Sequence, residues 1–278
     1  MSSGKFFVFV VVYYLCRFLV VAVSFTGDDA GYFVDFLDVG QGDAILIRTP
    51  NHNVMIDSGP DYSASFGLYN YFWSPFCNID AGFVSHAHAD HYFGFMRIAK
   101  LCQPKLITFN DVDQLKSGDA DFWQKFDQNK LKKTFLGDEY FFNELKIKVL
   151  WPRSPQDLNV HPDDLNYNSM VLLVTYGDFE GVFLGDAQKD TLAKIDWESV
   201  LAATKGRFDV IKAAHHGAGN GFYLPMYDIL QPKFCVIQVG KDNSYGHPDL
   251  DVVHQMEDVV GCDVLRTDEV GPIEMRLR

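Results

Sequence analysis

The chain has 278 residues, 47% apolar and 22% charged, with a formal net charge of −13. That balance describes a folded body with a sizeable core and excludes a disordered or low-complexity polypeptide, while the acidic excess excludes tight non-specific binding to polyanions through net charge alone. Five cysteines (Cys16, Cys77, Cys102, Cys235 and Cys262) form no CxxC pair, which excludes a zinc ribbon. A disulfide is compatible with them, but sequence cannot choose its partners, and Cys102 and Cys235 read as buried thiols among apolar neighbours.

From the N-terminus, residues 6–25 (FFVFVVVYYLCRFLVVAVSF) carry a single charge, Arg17. The stretch is long enough to span a membrane as a helix, with Arg17 costing a few kcal/mol unless it snorkels. It also reads as a signal peptide, with a basic start and small residues at Ala22 and Ser24 before a cleavage point. Residues 1–26 are therefore expected to be a signal peptide or single membrane anchor. Either reading places the following body, residues 30–278, outside the cytoplasm, exported or membrane-anchored. Without this segment the chain holds 22 basic and 37 acidic residues, a net of −15.

Short apolar runs with β-branched content predict strands at 32–39, 44–49, 53–57, 82–86, 145–150, 170–176, 180–185, 209–214 and 233–240. The first three follow closely enough to pair antiparallel, with GQGD (40–43) as a tight turn. Helices are expected after His91, around 188–204, and over 249–260, where Leu250, Val253, Met256 and Val260 form one face. Lys125, Lys130, Lys132 and Lys133 read as the solvated face of a further helix. Strands that meander early and alternate with helices later predict an α/β layered sandwich.

The chemistry is concentrated in SHAHADHYFG (85–94), with three of the nine histidines between positions 86 and 91. On an extended segment His86 and His88 project to the same side, whereas Asp90 and His91 diverge where the chain turns toward a helix. One pair can hold one cation and the second pair another. Imidazole and carboxylate suit zinc, manganese or iron, and the absence of thiolate argues against a purely structural zinc. More candidate ligands follow later strands: Asp186 in FLGDAQ, whose two carboxylate oxygens could bridge a metal pair, the histidines of HHG (215–217), and His247 in NSYGHPD. Asp57 reads as a partner for a ligand imidazole, with a turn carboxylate as the plainer alternative. Lys241 could offset charge on a phosphate or leaving group, or be a surface lysine beside Asp242. His52 and His254 receive no role.

HAHADH with IDSG (56–59) and the later GD, HHG and GHP resembles the metallo-β-lactamase superfamily. FLDVGQGDAILI, VFLGD, AAHHG, VGKDNSYGHP and LRTDEVG more closely resemble the lactamase-like domain of the competence protein ComEC, from about residue 32 to the C-terminus. The resemblance implies an αββα four-layer sandwich with a two-metal site at one edge, and hydrolysis, with degradation of one DNA strand during uptake as its task. Two features depart from the pattern. With at most one spanning segment, this chain is not expected to form a DNA channel itself. The histidine that such proteins supply shortly before the GD strand is also missing, because His161 reads as a loop residue. Its place then passes to HHG. The expected set is His86, His88 and His215 at one metal, Asp90, His91 and His247 at the other, and Asp186 bridging, with His216 as the alternative to His215.

The expected function is a dinuclear metal-dependent hydrolase using a metal-bound hydroxide, with two divalent ions (zinc or manganese) and with Asp90 orienting the attacking water. A phosphodiesterase or nuclease is the leading reading. The alternatives are hydrolysis of a small exported substrate (a phosphocholine ester, nucleotide, lactone or β-lactam) and a non-catalytic accessory subunit of a membrane channel. Expected partners are a nucleic acid or other phosphodiester, the membrane through an uncleaved N-terminal segment, and such a channel.

Overall fold

The computed structural model describes residues 31–61, 78–115, 117–161 and 164–277. The expected signal peptide or anchor, residues 1–26, lies outside the described residues, as does Cys77. Among the described residues fourteen strands form two sheets of seven.

The first sheet contains β1 (Phe33–Phe36), β2 (Ala44–Arg48), β3 (Asn53–Ser58), β4 (Ala81–Val84), β5 (Leu106–Phe109), β6 (Leu131–Lys132) and β14 (Ile273–Arg276), in the order β14-β1-β2-β3-β4-β5-β6. The second contains β7 (Glu139–Phe142), β8 (Leu145–Trp151), β9 (Val171–Tyr176), β10 (Phe179–Phe183), β11 (Val210–Lys212), β12 (Phe234–Ile237) and β13 (Asp263–Arg266), in the order β13-β12-β11-β10-β9-β8-β7. β1, β2 and β3 pair antiparallel, whereas β3–β4–β5 and β10–β11–β12–β13 run parallel.

Continuous apolar strands create this layering, because a strand with large side chains on both faces must be covered twice. In β2, Ile45 and Ile47 enter the core between the sheets, while Ala44 and Leu46 meet the helical side. β9 does the same: Leu172 and Val174 face the other sheet, and Val171 and Leu173 face outward. Phe95, Ile98 and Trp123, from helices Phe95–Cys102 and Ser117–Lys125, cover the first sheet. Leu192, Trp197, Met226, Tyr227 and Val253, from helices Lys189–Leu192, Trp197–Ala202, Leu224–Leu230 and Leu250–His254, cover the second. The result is the αββα sandwich expected from the sequence.

Several local expectations are corrected. β5, β6, β7, β13 and β14 were not foreseen, being short or carrying polar residues on an exposed face. The lysine cluster is not one helical face. The helix ends at Lys125, a turn at Asp127–Lys130 follows, and Lys132 lies in β6. Leu250 opens its helix 64% exposed, leaving Val253 and Met256 to make the buried contacts. Cys235 is not a thiol but forms a disulfide with Cys262, 27 residues on, and Cys102 is disulfide-bonded as well.

β14 pairs with β1 (Phe33 opposite Arg276), and the Leu277 N–H donates to the Tyr32 carbonyl at 2.7 Å. Across this seam Arg48 bonds Asp35 and Glu274 together. Elsewhere, Asn168 Nδ2 donates to Asp111 Oδ1 at 3.2 Å, linking the turn before β9 to the end of β5, while Asp111 Oδ2 has no hydrogen-bond partner.

Two expectations follow. Replacing Cys235 and Cys262 together by Ala reopens a 27-residue loop and lowers stability by roughly 3 kcal/mol, read from urea unfolding of each form. Burial pushes the Asp111 carboxyl up to about 7. The folded chain therefore holds a proton that the unfolded chain releases from about pH 4, so this residue costs stability as pH rises from about 4 to 7. Asp111→Asn is expected to raise the melting temperature at pH 8 and to change it little at pH 4.

Candidate metal centre

In a parallel sheet, neighbouring strands end at the same edge, so side chains that directly follow them converge. β3 ends at Asp57 and Ser58, β4 leads into His86–His91, β10 into Asp186, β11 into His215 and His216, and β12 into Gln238–Pro248. The β1–β2 turn adds Asp43. His86, His91, Asp43, Asp57, Asp186 and His216 are all buried.

Four overlapping groups of possible ligand atoms meet there: two include Asp43, which is already paired with Lys212, and the other two are His86–His88–Asp186 and Asp90–His91–His216. Asp186 stands between them, with Oδ2 3.9 Å from His86 Nε2, and Oδ1 3.3 Å from His91 Nε2 and 3.6 Å from His216 Nε2. His216 Nε2 also lies 3.3 Å from Asp90 Oδ2. His91 Nε2, His216 Nε2 and Asp186 Oδ1 are buried without a hydrogen-bond partner. Buried polar atoms are normally satisfied, and three orphans aimed at one another from two imidazoles and a carboxylate fit divalent cations as the absent partners. Imidazole and carboxylate donors without thiolate match zinc or manganese.

Each inner imidazole is turned by a second contact. The His91 Nδ1–H donates to Asp57 Oδ2 at 2.8 Å, and Asp57 Oδ1 accepts the Ser85 N–H at 2.7 Å. The His216 Nδ1–H donates to the Gln238 carbonyl at 2.8 Å, with Asp43 Oδ1 3.3 Å away. His86 Nδ1 lies 3.0 Å from Ser85 Oγ and 3.4 Å from Ser169 Oγ. In all three rings Nδ1 is occupied and Nε2 faces the centre, which leaves Nε2 available to a metal while the second contact holds the ring.

Electrostatics separate the two groups. Burial keeps His86 and His88 below the usual imidazole range, so both are neutral and ready to coordinate. Burial also opposes charge on His91 and His216, but Asp186 and its neighbouring carboxylates outweigh it, taking His91 well above its ordinary value and His216 up to about 9. Against its own burial, Asp186 is held well below the carboxylate range by His91 and His216. Without a metal, protons on imidazole neutralise this second group. A cation takes over their role.

The geometry redistributes the expected ligands. His216, not His247, joins Asp90 and His91. His215 and His216 both lie in left-handed backbone (φ 51° and 52°), which sends adjacent rings different ways. His216 points into the centre, while His215 faces Asn220 Oδ1 (2.9 Å), Asn166 Nδ2 (3.2 Å) and Asp186 Oδ2 (3.8 Å). His247 is a layer further out, its ring 5.5 Å from that of His215. Lys241 is exposed. His161 is also exposed and packs on Tyr167, with ring centroids 4.2 Å apart.

Sequence reasoning missed Asp43, Lys212 and Gln238. Lys212 and Asp43, both buried, form an ion pair beneath His216, and Gln238 Nε2 donates to the Leu37 and Ala44 carbonyls. A signal for the pair was present: DVIKAA carries a lysine within an apolar strand, where a cation demands an acid, and GQGD supplies one.

The metallo-beta-lactamase superfamily model matches residues 37–179. The chain belongs to this superfamily. It is 27% identical over 269 residues to ComE operon protein 3 of Bacillus subtilis (strain 168), covering 88% of this chain and 33% of that protein. It is 24% identical over 248 residues to Competence protein ComA of Neisseria gonorrhoeae, covering 86% and 31% respectively. The chain thus spans about a third of the length of the curated relatives it matches, and the body resembles the lactamase-like domain of such competence proteins. Among solved structures, the metallo-beta-lactamase fold protein YhfI from Bacillus subtilis aligns with a TM-score of 0.56 at 14% identity, over 89% of this chain and all (100%) of that one. CmlA, a diiron β-hydroxylase from Streptomyces venezuelae, aligns with a TM-score of 0.58 at 14% identity, over 89% of this chain and 54% of its own. These likenesses concern fold alone.

Lys212→Met takes from buried Asp43 its lysine partner, leaving only the imidazoles beside it, and is expected to cost about 3–5 kcal/mol in chemical denaturation. Combining it with Asp43→Asn should recover part of that loss.

Proposed function

We propose that this member of the superfamily is a two-metal phosphodiesterase acting on nucleic acid, with its body outside the cytoplasm. The observation that carries this reading is the position of Asp186 between two His/Asp groups that leave buried ligand atoms unpartnered. In this reading His86, His88 and Asp186 hold one divalent cation, with His215 at its margin. Asp90, His91, His216 and Asp186 hold the other. Two such cations supply Lewis acidity toward a phosphoryl oxygen and a water of lowered pKa.

The chain's own residues do the rest. Asp57 and Asp43 keep the imidazoles of His91 and His216 turned inward. Asp90 differs from the buried carboxylates around it, its side chain being 31% exposed. It can therefore accept a hydrogen bond from the attacking water while still facing the cluster. Lys241, exposed on the loop that carries His247, would offset phosphate charge.

Phosphodiester chemistry is favoured by the relatives, which bear the names ComE operon protein 3 and Competence protein ComA, and by the resemblance to a domain that degrades one DNA strand during uptake. A location outside the cytoplasm is supported by the Cys235–Cys262 disulfide and by the apolar stretch at residues 6–25. Among the described residues no helix is long and apolar enough to cross a membrane. In this reading a membrane channel is the partner through which DNA passes.

The test is metal content together with hydrolysis of single-stranded DNA, bis(p-nitrophenyl) phosphate and nitrocefin, with zinc and manganese supplied separately. Close to two ions per chain are expected, with turnover of the two phosphodiesters and not of nitrocefin. His88→Ala and His216→Ala should each lose about one ion and more than about 100-fold in rate, whereas His247→Ala keeps both ions. Loss of an ion in His247→Ala with none lost in His216→Ala would reverse the ligand assignment, and nitrocefin turnover alone would replace the substrate class.

A further inference from the structure

The loop Gly240–Asp249 ends in His247 but does more than carry that side chain. Tyr245 is 70% exposed at its tip, one of the most exposed large side chains of the body. Isolated exposed apolar residues are ordinary on protein surfaces. This one differs in how rigidly it is presented and in what it touches.

Its ring lies nearly parallel to that of His247, at 10° with centroids 6.0 Å apart, and His247 packs edge-on against His215 at 5.5 Å. His215 in turn reaches Asp186. A short ladder of rings thus runs from open solvent to the metal centre. Asn243 braces the loop from inside: its Nδ2 donates to the carbonyls of Gly240 (2.9 Å) and His247 (2.6 Å), and its Oδ1 accepts the N–H groups of Tyr245 and His247, both at 3.1 Å.

The loop is also clamped at both ends to other parts of the site. The Gly240 N–H donates to Gln41 Oε1 at 3.1 Å, and the Asp249 N–H donates to the Gly217 carbonyl at 3.0 Å. The contacts are close enough that a Cβ on Gly240 would lie 2.6 Å from the Gln41 nitrogen, and one on Gly217 2.7 Å from Pro248. The backbone that carries the tyrosine is therefore held relative to His247 and Gly217, which lowers the ordering cost of binding.

We propose that Tyr245 is a stacking platform for a nucleobase next to the scissile phosphate of a single strand, with Lys241 on the same loop meeting the backbone. This rests on the nucleic-acid reading above and extends it to a subsite. The charge of the body makes the case specific: at −15 without residues 1–26, it gains little long-range attraction for a polyanion. Base stacking on an aromatic face is independent of net charge and tolerant of sequence. It needs an unpaired base, so the subsite selects single strands over duplex.

The experiment compares the full chain with Tyr245→Ala, Tyr245→Phe and Tyr245→Trp on oligo(dT) and on the same oligonucleotide with abasic residues. Tyr245→Ala is expected to raise KM for oligo(dT) by roughly 5- to 150-fold, the range for losing one stacked base, with a much smaller change in kcat. Phe and Trp should restore KM to within a few-fold, and abasic DNA should no longer distinguish Ala from Tyr. Equal losses on normal and abasic DNA, or no loss at all, overturn the proposal; the second result would leave the exposed ring to a protein partner. Should no DNA be cleaved by any form, the nuclease reading fails on its own. Oligo(dT) quenching of Tyr245→Trp fluorescence, measured against the unsubstituted chain, still decides the subsite: added quenching supports it and none overturns it.

Discussion

Four carboxylates, Asp43, Asp57, Asp90 and Asp186, converge on one largely buried space, and the architecture around it answers their mutual repulsion. One cation is built in: Lys212 pairs with Asp43 in the deepest layer, where no solvent ion is needed. The others are imidazoles, whose charge is conditional. Asp186 and its neighbouring carboxylates favour a proton on His91 and His216, and a bound metal would displace it. The Lys212–Asp43 pair ties one sheet to the other, while the histidines would let the centre exchange protons for a cation.

That division explains which elements carry the site. The antiparallel β1–β3 meander contributes orienting acids, Asp43 from a turn and Asp57 from a strand end. The candidate ligands come from loops after β4, β10 and β11, strands with parallel neighbours that deliver their ends to a common edge. Backbone strain is placed there as well. Asp57, His215 and His216 all have positive φ, a conformation that costs energy for any residue with a side chain and survives where the surrounding contacts enforce it.

What sequence could and could not reveal follows the range of the interactions. SHAHADHYFG was legible as a metal loop because its ligands are neighbours in the chain and their geometry follows from a strand giving way to a helix. The αββα layering was legible because β2 and β9 are apolar on both faces. The place of His216 beside Asp90 and His91, where His247 was expected, was not, since it turns on two left-handed residues in a row, a conformation that nothing in AAHHG announces. The Asp43–Lys212 pair was hidden differently. Its members are 169 residues apart, each bland in its own surroundings, and only the packing of one sheet against the other brings them together. β13 and β14 escaped notice because half-exposed strands such as DVLR and IEMR lack a continuous apolar signature.

The seam between β1 and β14 has a consequence for how such a body is used. The chain enters the fold at Tyr32 and leaves it at Leu277, joined there by a backbone hydrogen bond, at the end of the sheets opposite the histidines. Entry and exit side by side allow the whole sandwich to be spliced into, or hung from, a larger polypeptide without disturbing a single ligand-bearing loop. Relatives about three times as long have room for such an arrangement, in which the edge that carries the histidines lies at the end of the sheets away from the junction.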